Sequence, residues 1–356
     1  MDKNSMNGSE ETNSSGKQHH DPRDIIKVCN IMLEINPKDY ETMVCRSSAR
    51  KALGDIEGAL SDLNQALIIK PDLVSALNNR GLIRFQLKEY WGALDDYNAA
   101  YLINPEIKEI IYNRANAFRA VDMFEEAIDN YNKVIDSCPT MKLAWFSRAM
   151  AKVEMGIPDA ALEDFNTVIK LDKSFVDAYY ERGLVKLKLG DYKGAIDDFN
   201  STLNLDPKYT DVYFKRGLAK SGNLDHKGAV GDFTKAIAED PDYADSYINR
   251  AVDQFELGNY EAAIEDTRKA IELQPDFSGT WTNLGIILNE TDQFAAAKIA
   301  FDKALELDPD FVLALYCRGI LFSTLKDKVS ACNDLQRAGE LGMKVAFDVI
   351  KEIVDD

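Results

Sequence analysis

Side chains able to make or break covalent bonds occur throughout this 356-residue chain, but they are poorly spaced for the task. Of three histidines only His226 lies beyond residue 20, so no histidine pair is spaced to chelate a metal, and no imidazole accompanies a patterned nucleophile. Neither a G-x-x-x-x-G-K-[ST] phosphate loop nor an H-E-x-x-H metal helix occurs. Acidic doublets such as Asp95-Asp96 and Asp197-Asp198 are adjacent in sequence, and adjacent residues on a helix point apart instead of converging on one substrate atom. Cys29, Cys45, Cys138, Cys317 and Cys332 are scattered without a C-x-x-C, the usage of small core residues in a reducing compartment. The expectation is a protein that is not an enzyme, uses no cofactor and no metal, and works in the cytoplasm.

The side chains that do recur carry charge, and their spacing leads to the elements that must hold them. Arginine stands at Arg46, Arg80, Arg114, Arg148, Arg182, Arg216, Arg250 and Arg318, all on one 34-residue lattice. Eight of the ten prolines, from Pro37 to Pro309, fall on a second lattice of the same period. With that proline as position 32, nine units run from 40–73 to 312–345, and position 20 is alanine in every one, from Ala59 to Ala331. Position 8 is always Gly, Ala or Ser, position 24 is aromatic or Leu except at Thr267, and position 4 is large and apolar. Small residues at 8 and 20 let two helices approach closely, and large ones at 4 and 24 fill the space beside them. A turn such as LGDY at 189–192 separates the first helix (A) from the second (B), and proline at 32 ends helix B. Each hairpin leaves an apolar face uncovered, so neighbours must stack.

This pattern resembles the tetratricopeptide repeat family, with its W-x2-LG-x2-Y…A-x3-F…P signature. The unit at 278–311 matches best, through Trp281, Leu284, Gly285, Ala297, Phe301, Ala304 and Pro309. The resemblance implies an all-α fold, a right-handed α-α superhelix of nine full repeats, with A helices lining a concave groove for ligands. Residues 1–21 read as a disordered polar tail, lacking any Val, Ile, Leu or aromatic side chain. Residues 22–39 read as an N-terminal capping helix in the register of a helix B, 40–345 as the nine repeats, and 346–356 as a C-terminal capping helix.

The arginines occupy position 7, where the family has leucine, and position 23 carries aspartate in seven repeats: Asp62, Asp96, Asp164, Asp198, Asp232, Asp266 and Asp334. Leu284 and Ala300 lose both charges together, which pairing predicts, because an orphan charge at a helix interface costs several kcal/mol. Two readings follow: a ladder of Arg–Asp pairs within the repeats, or an arginine-lined groove for acidic ligands. The matching acids favour the ladder.

By the resemblance, positions 2, 5 and 9 face the groove. Position 5 gives Tyr112, Phe146, Tyr180 and Phe214 in successive repeats, position 9 gives Asn116, Met150, Leu184 and Leu218, and position 2 includes Asp177 and Asp211. An apolar floor with an acidic margin suits a peptide or protein segment of apolar and basic character. The aromatics also have a packing reading, against the next repeat. Arrays of this family that clamp acidic chaperone C-termini carry lysine at position 5, and this chain has none there. The functional expectation is a protein-binding scaffold, or else a non-catalytic regulatory or assembly subunit of an enzyme complex. A formal charge of −18 disfavours nucleic acid and anionic membranes as partners, and no apolar run is long enough to span a bilayer. The first helix, with Ile25, Val28, Cys29, Ile31, Met32 and Ile35 but no partner helix of its own, is an expected site of weak self-association.

Overall fold

The structure, a computed structural model, describes residues 21–355, and every regular element among them is an α-helix. The tail, with His19 and His20, lies outside the described residues except for Asp21, which caps the first helix by accepting from Arg23 N at 2.9 Å. The chain divides into two units, Met1–Ile157 and Pro158–Asp356. In the first, α1 (Pro22–Ile35) precedes the hairpins α2 (Tyr40–Ala52)/α3 (Ile56–Ile69), α4 (Val74–Gln86)/α5 (Tyr90–Ile103) and α6 (Lys108–Ala120)/α7 (Phe124–Ser137), then α8 (Lys142–Glu154). In the second, α9 (Pro158–Leu171) precedes α10 (Val176–Lys188)/α11 (Tyr192–Leu205), α12 (Asp211–Gly222)/α13 (His226–Glu239) and α14 (Ala244–Glu256)/α15 (Tyr260–Leu273). The hairpins α16 (Ser278–Glu290)/α17 (Phe294–Leu307) and α18 (Val312–Thr324)/α19 (Lys328–Glu340) follow, and α20 (Val345–Asp355) ends the unit.

The small-residue positions do what close packing requires. All nine position-20 alanines are fully buried. A Cβ built on Gly81 would lie 2.6 Å from the Tyr97 ring, and one on Gly217 2.7 Å from the Phe233 ring, so position 8 is where the position-24 ring rests. Position 15 has positive φ in every turn between an A and a B helix, whether the residue is glycine (Gly54, 81°) or not (Lys88, 63°; Leu224, 61°). The three-residue turn therefore imposes the left-handed conformation itself. Trp145 and Trp281 at position 4 each donate an indole N–H to the carbonyl of the preceding proline, Pro139 and Pro275, at 2.9 Å.

The charged ladder closes inside the repeats. Arg46 donates Nε to Asp62 Oδ2 (2.9 Å) and Nη2 to Asp62 Oδ1 (2.6 Å), and the same fork joins Arg80–Asp96, Arg182–Asp198, Arg216–Asp232, Arg250–Asp266 and Arg318–Asp334. Two further partners were not anticipated from the sequence. The remaining Nη1 reaches back to position 25 of the preceding helix B, to Asn30, Asn64, Asn166, Asn200, Thr234 and Asp302 respectively. Position 11 adds a second cation to the same aspartate: Arg50 to Asp62, Arg84 to Asp96, Lys186 to Asp198 and Lys220 to Asp232, each at 2.8 Å. One arginine thus ties helix A to its own helix B and to the repeat before.

The exceptions obey the same accounting. Arg114 donates to neutral Asn130 and compensates by stacking its guanidinium 3.5 Å from the Tyr101 ring centroid. Where position 7 is Leu284, the preceding position 25 is Arg268, so the ladder's acceptor and its donor disappear together.

Candidate functional site

All position-5 and position-9 residues proposed for the groove, Tyr112, Asn116, Phe146, Met150, Tyr180, Leu184, Phe214 and Leu218, are half-buried, while Asp177 and Asp211 are exposed. In the first unit the polar members are engaged internally. The Tyr112 hydroxyl lies 3.1 Å from Ser147 Oγ, and Asn116 Oδ1 accepts from the Tyr131 hydroxyl at 2.6 Å. Tyr112 also leans on the Tyr131 ring, with centroids 5.9 Å apart. Phe146 and Met150 share the face of α8 in that unit, four residues apart.

In the second unit three of the proposed residues meet. Tyr180 from α10 and Phe214 and Asp211 from α12 line one cavity of about 340 Å³, whose further walls include Tyr243, Glu239 and Asp240. The Phe214 and Tyr243 rings pack edge to face with centroids 5.1 Å apart, and Tyr180 rests on Tyr209 at 4.8 Å. Burial, helped by Tyr209, Asp211 and Glu181, pushes the Tyr180 phenol up to about 12. Burial followed by nearby carboxylates, Asp177 first, likewise raises Tyr209. The cavity therefore presents neutral aromatic faces inside a negative field. Lys215 Nζ sits 5.4 Å from the Phe214 ring centroid, an intramolecular cation on the aromatic wall.

Packing and exposure divide this set. Tyr180 and Leu184 lean on the core around Phe199, Val212 and Ala219, so part of each belongs to the fold. The sequence reading missed Tyr243, Glu239 and Asp240, although a signal existed. Position 34 is aromatic in five successive repeats: Phe175, Tyr209, Tyr243, Phe277 and Phe311. One member of that row, Tyr243, supplies the far wall of the cavity.

His226 has a partner that the sequence reading did not assign. Its Nδ1–H donates to Asp253 Oδ1 at 2.7 Å, and the Ser221 hydroxyl donates to the same oxygen at 2.9 Å. Asp253 is fully buried at position 10, its Oδ2 has no hydrogen-bond partner, and burial raises its pKa. Serine and histidine both converge on one carboxylate oxygen. A nucleophile–base relay would need the serine hydroxyl on the imidazole instead. Among the described residues no group of three or more His, Cys, Asp or Glu side chains could hold a metal ion.

Tetratricopeptide repeat profiles match residues 46–108, 176–209, 244–277 and 278–311. The chain belongs to the tetratricopeptide repeat family. Solved structures show the same fold. The C-terminal part of a TPR repeat-containing protein from Cytophaga hutchinsonii is 16% identical with a TM-score of 0.58, over 67% of this chain and 97% of that one. A tetratricopeptide repeat protein from Parabacteroides merdae is 21% identical with a TM-score of 0.51, over 70% and 98%. No curated protein matches the chain. Tetratricopeptide repeats are protein-interaction modules, and among the described residues no helix is long and apolar enough to cross a membrane.

Proposed function

We propose that this tetratricopeptide array is a non-catalytic scaffold that captures a protein segment bearing basic and large apolar side chains, in the cytoplasm. The observation that carries this reading is the cavity walled by Tyr180, Phe214 and Tyr243 and ringed by Asp211, Glu239 and Asp240. Aromatic faces attract a cation through their quadrupole, and the carboxylates add charge complementarity at the rim. Lys215 lies 5.4 Å over the Phe214 ring, a contact of the kind that an incoming lysine or arginine would make in its place. Leu184 and Leu218 would extend the contact along the A helices of the second unit, and within the first unit Tyr112, Asn116, Phe146 and Met150 would offer an apolar face of their own. The negative surface steers basic segments in and turns nucleic acid away.

The test is a selection of phage-displayed 12-residue random peptides against the whole chain, followed by affinity measurements on the recovered sequences. Recovered peptides should be rich in Lys, Arg and large apolar residues. Phe214→Ala should weaken the best of them by at least ~2 kcal/mol, about thirtyfold, with little loss of melting temperature. Peptides rich in Asp and Glu, or a Phe214→Ala variant that loses stability but keeps affinity, would defeat the proposal.

A further inference from the structure

Going beyond groove binding, we infer that two copies of this chain pair through α1, antiparallel about a two-fold axis, each α1 lying in the helix-A place beside the other. Three observations carry this. The first is register. Ile25, Val28, Cys29 and Met32 occupy positions 20, 23, 24 and 27 of a helix B. In the complete hairpins, positions 23 and 24 meet the repeat's own helix A, as Asp62 meets Arg46 and Tyr97 meets Gly81. Among the described residues that place is a cavity of about 570 Å³, walled by Asp24, Ile25, Val28, Cys29 and Met32 from α1 and by Thr42 and Cys45 from α2. Position 23 is Val28 instead of aspartate, so the neighbour this face suits is one without the ladder arginine.

The second observation is an uncovered stripe. Val28, Ile31, Met32 and Ile35 are 56%, 58%, 45% and 81% exposed, and with Ile25 they run along one side of α1. Residues 6–18, which fall in the helix-A register of that first half repeat, read MNGSEETNSSGKQ and offer the stripe no branched aliphatic or aromatic side chain. A second copy of α1 does offer them. Helix A runs antiparallel to helix B in a hairpin, and two identical helices related by a two-fold perpendicular to their axes are also antiparallel, so one operator satisfies both places.

The third observation is charge. Pairing Ile25 with the partner's Ile35 and Val28 with the partner's Met32 fixes the level of every other side chain. Lys27 and Glu34 are seven residues apart and flank the stripe on one side, and in this pairing Lys27, which also meets its own Asp24 at 2.8 Å, comes within one residue of the level of the partner's Glu34, twice by symmetry. The partner's Arg23 arrives at the end of the cavity where Asp39 and Glu41 stand. One 14-residue helix per subunit buries less than the ~1,200 Å² of a standard interface, so the dimer is weak.

Sedimentation equilibrium of the full chain at about 0.15 M salt, where the −18 charge is screened beyond roughly 8 Å, should show a dimer forming at tens to hundreds of micromolar. Val28→Glu with Ile31→Glu should leave it monomeric with unchanged helix content and melting, because both positions are exposed. Lys27→Glu and Glu34→Lys should each weaken dimerisation about five- to tenfold. An equimolar mixture of those two variants should dimerise as the parent does, because both pairs in the heterodimer are again opposite in charge. A parent chain monomeric throughout, a dimer indifferent to the stripe substitutions, or a mixture no tighter than its components would overturn the inference. So would a full chain that dimerises only after residues 1–20 are removed, since those residues would then be the occupant of the stripe.

Discussion

Asp198 is 2% exposed and accepts from both Arg182 and Lys186, whose side chains are 16% and 20% exposed. Asp198→Ala leaves two cations facing a place that water reaches poorly, and breaking a buried pair of this kind costs about 3–5 kcal/mol. Arg182 keeps one bond, to exposed Asn166, which limits the loss. Removing the arginine as well recovers only part of the loss, because Lys186 at position 11 still lacks its anion. Repeat eight shows the complete neutral solution, with Leu284, Leu288 and Ala300 at positions 7, 11 and 23. The triple variant Arg182→Leu, Lys186→Leu, Asp198→Ala should therefore return most of the stability, since an apolar replacement of a buried ion network is often neutral or better. Repeat arrays unfold in segments, so the proper readout is hydrogen exchange of α10 and α11 amides, which reports local opening free energy. A triple variant no more protected than Asp198→Ala, or an Asp198→Ala loss below about 1 kcal/mol, would refute the ladder's energetic role.

Two further outcomes follow from charge. Asp253 has a folded pKa raised above the ordinary 3.8 by burial, so its carboxyl contributes stability that is full below 3.8 and is lost as pH rises through the folded value. Asp253→Asn should match the parent near pH 4 and exceed it by ~1–3 kcal/mol at neutral pH, measured as melting across that range, and a gap that closes with rising pH would contradict the sign. Asp177→Asn with Asp211→Asn should slow association of a selected basic peptide and flatten its salt dependence while changing its dissociation rate little, read by stopped-flow at several ionic strengths. A change confined to dissociation would place these acids inside the contact.

The sequence determined the hairpin, because its causes are local and repeated. Alanine at position 20, a small residue at position 8, a turn at position 15 and proline at position 32 each act within one unit, and nine copies of the same constraint leave little freedom. The ladder was half legible for the same reason. Arg46 and Asp62 announce themselves by opposite charge at recurring positions, whereas the asparagine that recurs at position 25, as Asn30 and Asn64 do, is neutral and offers no charge to match. Only the packed helices bring position 25 of one repeat and position 11 of the next beside the same guanidinium–carboxylate pair. The candidate site divides similarly. Tyr180, Phe214 and Asp211 could be picked by register, but Tyr243, Glu239 and Asp240 enter the cavity from the end of a helix B and the turn after it, elements with a different periodic phase. His226 stands without a second histidine in the sequence beyond residue 20, and its partner is Asp253, 27 residues away, at a core position where the other repeats bury an apolar side chain. Periodicity marks which positions are constrained, and tertiary structure alone decides which of those positions meet, because neighbours in space come from helices with different periodic phase.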